Sequence, residues 1–347
     1  MKNLMNIAVE SKASDLHISC NHPPILRINT ALVDLDTEPV ITSVMAQELI
    51  LSVLTEQQKE MLFKEKELDL ALSSGETRFR VNVFFQSGFL SMALRLIPDR
   101  IRTIEELSLP QVMYNFTKAK QGFVLITGAT SQGKSTTLAA LIDEINHTRR
   151  EHIITIEHPI EYVFKDDKSI VDQREVYQDT LSFAKALRSS LREDPNVIMV
   201  GEMRDFETIS TAITAAETGH LVFATLHTNS ASQTIHRIID VFPPHQQNQV
   251  RAQLASSLLG VVSQRLVPKI KDGFAPACEI MMVNSAIANL IREDKVHEVQ
   301  AVIETSAKQG MISMNKSLSD LVKAKEISKE VALSYSLSPD DLEVRIR

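Results

Sequence analysis

Four short apolar runs dominate the middle of the chain: FVLIT, HIITI, NVIMV and LVFATL, all between residues 123 and 226 and none with polar alternation. A strand with one wet face would alternate, so these runs predict parallel strands buried on both faces. Between them apolar residues recur at helical spacing, as with Leu138, Leu141, Ile142 and Ile145. Strands alternating with helices predict an α/β unit around a parallel sheet. Each run ends in residues that can do chemistry: Gly128, Glu157, Gly201 with Glu202, and His227. Ligands of open parallel sheets gather beyond the carboxyl ends of the strands, so one sheet edge is expected to carry the site.

The first hundred residues follow another rhythm, that of a mixed α+β unit. Leu16, Ile18 and Cys20 alternate with His17 and Ser19, and PPILRIN continues as a strand. MAQELILSVLTEQQKEMLF is helical by period, and RFRVNVFFQ with FLSMALRLI reads as a hairpin turning near Ser87 and Gly88. His17, Cys20 and His22 lie close in sequence, as metal ligands do. Alternation, however, sends Cys20 to the apolar face and His17 to the other, so a core strand is expected there. Pro98 and Pro110 bracket a charged segment that reads as a linker. The expected domains are therefore 1–97, a linker over 98–112, and 113–347. Beyond residue 240 the pattern is mainly helical, over 246–262, 286–292 and 314–324.

Composition narrows the function more than the fold. The 347 residues are 44% hydrophobic and carry a net charge of −7, which speaks against a protein built to coat nucleic acid or anionic lipid. Two cysteines, Cys20 and Cys278, form no C-x-x-C pair, as expected of a reduced, cytoplasmic protein. The N-terminus lacks an apolar signal core, and no apolar run is long enough to span a bilayer. A role at a membrane would go through a partner.

GATSQGKST supplies the first specific chemistry. Gly128, Gly133, Lys134 and Ser135 satisfy G-x-x-x-x-G-K-[ST], set between a predicted strand and a predicted helix. In that context backbone N–H groups and the positive helix end hold phosphates, the lysine adds a point charge and the serine hydroxyl can ligate Mg²⁺. NVIMVGEMRD ends a strand in Glu202, where a carboxylate can hold Mg²⁺ or polarise an attacking water. HIITIEHPIEYVF offers Glu157 and Glu161 around a break at Pro159, and either could activate water. His220 and His227 stand at the two ends of one predicted strand, suited to a γ-phosphate, with no third ligand at a metal-like spacing. An LSGGQ stretch, an N-K-x-D and the HRD and DFG kinase set are all missing. A RecA-like motor ATPase is what remains.

ASDLHIS, GATSQGKST, IEHPIEYVF, LREDPNVIMVGEMRD and TGHLVFATLHTNSASQTIHRIIDVFP together resemble the type II/IV secretion ATPase superfamily. Within it the chain is most similar to the PilT-type twitching-motility group, which retracts type IV pili. The likeness implies an N-terminal PAS-like α+β domain, a RecA-like P-loop domain with a mainly helical C-terminal part, and a homohexameric ring with ATP and Mg²⁺ between subunits. It also implies an inner-membrane platform protein as partner, a cytoplasmic location peripheral to that membrane, and room for a second retraction ATPase; nucleic acid is not an expected partner. By residue, it implies nucleotide binding by Gly128, Ala129, Thr130, Ser131, Gln132, Gly133, Lys134, Ser135 and Thr136, with Ser135 and Glu202 on Mg²⁺. Glu161 matches the catalytic glutamate, Glu202 the Walker B glutamate, and His220 and His227 the His-box pair. Arg80, Arg95, Arg192 and Arg237 are the candidates for basic groups reaching across a subunit boundary.

Three departures stand out. Ser131 and Gln132 replace a Gly-Ser pair, with Ala129 in place of Pro; His158 replaces an Asp; and Ala288 in AIANLIRED replaces an Arg in a stretch the family associates with retraction. Rival readings are a pilus-assembly or type II secretion ATPase, a nucleic-acid translocase, and a weakly hydrolysing nucleotide-sensing partner of another motor.

Overall fold

A computed structural model describes residues 1–28, 31–75, 77–97 and 100–346. Asn29, at the end of the second predicted strand, and Pro98, at the start of the predicted linker, lie outside them. The chain divides into two compact units, Met1–Arg100 with His158–Val163, and Ile101–Glu157 with Phe164–Arg347.

The first unit runs α1 (Lys2–Glu10), β1 (Asp15–Ile18), β2 (Ile25–Ile28), β3 (Ala31–Asp34), α2 (Ser43–Leu51), α3 (Glu56–Glu65), β4 (Glu67–Ser74), β5 (Thr77–Gln86) and β6 (Phe89–Ile97). Its strands form one antiparallel sheet in the order β3-β2-β1-β6-β5-β4. Period-two alternation along β5 buries Phe79, Val81 and Val83, which join Leu16, Ile18, Met5, Ile50 and Leu62 in one core. The opposite face is polar: Asp15 is in register with Arg27 and Arg95, and Arg95 with Arg80. The turn at Ser87 and Gly88 joins β5 to β6 as the hairpin reading anticipates.

Two local expectations are corrected here. The helix expected over 45–63 is two helices, because Thr55 stops the run with a capping box: Gln58 N donates to Thr55 Oγ1 at 3.3 Å and Thr55 N to Gln58 Oε1 at 2.9 Å. The first strand ends at Ile18, so Cys20 sits half-buried in the following turn rather than on a strand face.

The second unit holds α4 (Tyr114–Lys118), β7 (Gly122–Thr127), α5 (Lys134–Thr148), β8 (His152–Glu157), β9 (Ile170–Glu175), α6 (Phe183–Ser190), β10 (Val197–Val200), α7 (Phe206–Glu217), β11 (Leu221–Leu226), α8 (Ala231–Asp240) and α9 (Pro244–Ser257). It continues with β12 (Leu258–Pro268), β13 (Phe274–Met282), α10 (Ser285–Arg292), α11 (Val299–Thr305), α12 (Met314–Lys323), α13 (Lys329–Tyr335) and α14 (Pro339–Ile346). The sheet order is β13-β12-β7-β11-β10-β8-β9, parallel except for the β12–β13 pair. All residues of β7, β10 and β11 are buried, which is why these runs show no polar alternation. Residues 101–112 belong to this unit, with Ile104 and Leu109 buried.

The helix expected over 246–262 is also corrected: α9 stops at Ser257, Leu258 turns extended, and LLGVVSQRLVP becomes β12. Pairing with buried β7 outweighs the helix-forming sequence that leads into it, and Val261, Val262 and Val267 suit a pleated sheet better than a helix. A last small core joins Val267, Ala275 and Ala277 of this hairpin to Leu318, Ala332 and Leu342 of α12–α14. No helix among the described residues is long and apolar enough to cross a membrane.

Candidate nucleotide site

The parallel register aligns the strand ends of the second unit. Thr127 is opposite Leu226, Val200 is opposite both Ala224 and Ile156, and the loops that follow these residues leave from one edge. That edge delivers residues 128–133 after β7, Glu157 at the end of β8, Glu202 after β10 and His227 after β11.

The loop after β7 has the backbone of a phosphate cradle. Gly128 has φ 149°, Ser131 φ 63° and Gly133 φ 76°. A Cβ at Gly128 would meet the Gln264 carbonyl oxygen at 2.4 Å, so only glycine fits there. Ser131 holds a left-handed angle that glycine would adopt freely, at a cost of about 1 kcal/mol or more. Gly133 precedes α5 without any side-chain cap, and the first turn of α5 holds no acidic residue. The first N–H groups of a 15-residue helix thus face the loop, with the positive end of its dipole behind them. Ala129, Thr130 and Ser131 are exposed, and Gln132, Ser135 and Thr136 half-buried.

Lys134 is buried, and its Nζ donates to Gly128 O at 2.9 Å and Ala129 O at 2.8 Å, holding the charge inside the curve of the loop. His227 Nδ1 lies 3.5 Å from the same Nζ, and its Nε2 2.9 Å from Glu202 Oε1. The imidazole that satisfies both contacts carries its proton on Nε2 and turns a lone pair to the lysine. Arg204 Nε donates to Glu202 Oε1 at 2.5 Å. Burial raises the Glu202 carboxyl, but Arg204 and His227 outweigh it and hold the group below the usual carboxylate range. The edge therefore presents an ionised oxygen donor, a half-buried hydroxyl at Ser135 and a fixed ammonium. Hydroxyl and carboxylate oxygens are the hard donors that Mg²⁺ takes.

Glu157 is a different case from Glu202. It is buried, and its Oε1 accepts from Thr155 Oγ1 at 2.7 Å and from Gln173 Nε2 at 3.0 Å, a role in holding β8 to β9. His220 stands at the amino end of β11, where Gly122 N donates to its carbonyl and its Nδ1 meets Ala215 O at 2.9 Å. A six-residue strand separates it from His227, so the structure does not bring the two histidines together within the unit.

Glu161 falls in the segment that groups with the first unit, following the cis His158–Pro159 peptide. Its Oε1 accepts from Arg80 Nη1 at 3.0 Å. Arg95 Nε donates to Asp15 Oδ1 at 3.0 Å on the polar face of the same sheet. In the second unit, Arg192 is exposed just beyond α6 and Arg237 is exposed on the last turn of α8. In α10, which Asn284 caps, Ile287, Ala288 and Ile291 are buried, so the face carrying Ala288 packs inward.

Sequence reasoning missed Gln264 and Thr137. Gln264 Nε2 donates to Gln132 O at 2.8 Å and its Oε1 accepts from Thr137 Oγ1 at 2.7 Å. The signal for Gln264 was the valine-rich run around it, obscured by the helix that leads into β12.

The family model of the type II/IV secretion system proteins matches residues 1–333. The type IV pilus retraction ATPase PilT of Pseudomonas aeruginosa is 44% identical over 97% of this chain and 98% of its own. The type IV pilus ATPase PilU of the same organism is 39% identical over 100% of this chain and 91% of its own. A crystal structure of the pilus retraction motor PilT with bound ADP superposes with a TM-score of 0.93 and 47% identity, over 99% of both chains. The chain belongs to the type II/IV secretion system protein family.

Proposed function

We propose that this chain is an ATP-hydrolysing motor subunit that powers retraction of type IV pili. The observation that carries the reading is Lys134, drawn into the curve of the loop and linked through His227 to the Glu202 carboxylate. The likeness of nearly the whole chain to a pilus retraction ATPase adds the task to the chemistry.

In this reading the N–H groups of residues 128–136 and the Lys134 ammonium bind the β- and γ-phosphates of ATP. Ser135 and Glu202 supply the protein's oxygens to Mg²⁺, which offsets phosphate charge when bound. Glu161 orients or deprotonates the attacking water, and His227 keeps Glu202 and Lys134 at a fixed spacing. Phosphoryl transfer needs positioning and charge compensation more than covalent chemistry, and these residues provide both. An arginine from a neighbouring subunit, with Arg80, Arg95, Arg192 and Arg237 as candidates, completes the charge balance in a homohexameric ring. That ring works in the cytoplasm against an inner-membrane platform protein.

The test is a count of surface pili, scored with twitching, on source cells lacking the gene. More pili without movement supports retraction. Bald cells would assign the same engine to pilus assembly.

A further inference from the structure

β12 runs on past the end of β7: Ser263 is opposite Thr127, where β7 stops, and the strand continues to Pro268 alongside the loop. Gln264, on that extension, is only 3% exposed. A buried amide has to be hydrogen-bonded, and both ends of this one are spent on the loop and the first turn of α5, at Gln132 O and Thr137 Oγ1. The loop returns the contact, since Gln132 Oε1 accepts from Leu266 N at 2.7 Å. The same strand limits the space: a Cβ at Gly133 would lie 2.9 Å from Gln264 Nε2.

We propose that Gln264 is a positioning residue for nucleotide binding and that Gln132 and Thr137 are its counterparts. Together they clamp the loop to β12. The clamp holds Ser131 in its left-handed conformation before any nucleotide arrives. A loop already in its binding shape does not lose that freedom on binding, so the clamp acts on affinity. The Gln132 side chain, bonded to Leu266 N, thus offsets the strain at its neighbour Ser131. The proposal rests on the reading of residues 128–136 as the nucleotide site.

The test is ADP affinity by titration calorimetry on the full chain, with the thermal midpoint of each variant measured without nucleotide. Gln132→Ala removes one tie from a half-exposed loop position. Thr137→Val removes another at nearly constant volume, and Thr137→Ser restores the hydroxyl. Each lost bond is expected to raise the ADP dissociation constant about three- to tenfold. Thr137→Ser is expected to stay within about twofold of wild type, and Thr137→Val combined with Gln264→Leu, which remove the same bond, to lose less than the product of the singles. Variants that melt earlier yet bind ADP as wild type does, well below their midpoints, would overturn the clamp and leave Gln264 as interior packing. Wild-type protein that binds no ADP would overturn the nucleotide-site reading itself.

Discussion

His227 Nε2 lies 2.9 Å from Glu202 Oε1, so the residue after one central strand restrains the carboxylate after its neighbour. The same ring meets Lys134 at Nδ1, which makes it a spacer between the two charges of the site. Its loss should free Glu202 to follow Arg204, whose side chain is 79% exposed. His227→Ala is expected to lower ATP turnover about tenfold or more, on the scale of lost electrostatic preorganisation. His227→Gln, which can still donate towards Glu202, should retain more activity than the alanine. Equal turnover in both variants would show that the contact does not set the rate.

Lys134 is the second case, because its donors are occupied by the loop itself. Phosphate has to compete with two carbonyls for the ammonium, and the site is arranged so that it can, since those carbonyls border the cradle. Lys134→Ala removes the charge outright. ADP affinity is expected to fall at least about tenfold and hydrolysis to fall further. Calorimetry and a phosphate-release assay on the purified chain check both. Retained ADP affinity would place the phosphates elsewhere.

Glu161 makes a partly exposed pair with Arg80, both belonging to the first unit. Side chains exposed to this degree gain little from pairing, under about 1 kcal/mol, so the contact is not kept for stability. Arg80→Ala should therefore leave the thermal midpoint nearly unchanged. Glu161→Ala is expected to cut hydrolysis by an order of magnitude or more while ADP affinity stays within about threefold. Near-normal turnover in that variant would remove Glu161 from the role of base.

Much of the second unit was legible because its strands are buried on both faces, which leaves a plain apolar run for each. The phosphate loop, Glu202 and His227 follow directly, as strand ends of one parallel sheet. What was not legible depends on contacts distant in sequence. β12 is a strand because it pairs with β7, about 135 residues earlier, while its own entry reads as the continuation of α9. Gln264 could not be recognised as a loop contact until that pairing was known. The pairing of Glu161 with Arg80 likewise joins residues 81 positions apart. His220 and His227 flank one six-residue strand, so within the unit they stand at opposite ends of the sheet, and only one end holds the carboxyl termini of the strands. The stop between α2 and α3 was written in T-x-x-Q, but the apolar period continues across it.

Glu279 gives the last prediction, from a carboxyl the nucleotide chemistry does not use. It is 2% exposed on β13 and accepts from Ala231 N at 2.9 Å, at the start of the helix that follows His227. Burial pushes its carboxyl above the ordinary 4.5, although the Ala231 N–H and the Arg265 charge pull the other way. The folded chain thus holds this proton more tightly than the unfolded chain does. The stability it contributes is fully present below the unfolded value, about 4.5, and is lost as pH rises through the raised folded one. Glu279→Gln keeps an acceptor for Ala231 N and cannot ionise. Its thermal midpoint relative to wild type should therefore climb as pH rises above the ordinary 4.5, as the wild type alone incurs the cost of a buried charge. A midpoint difference that stays constant as pH rises would mean the Glu279 carboxyl does not change its proton on unfolding.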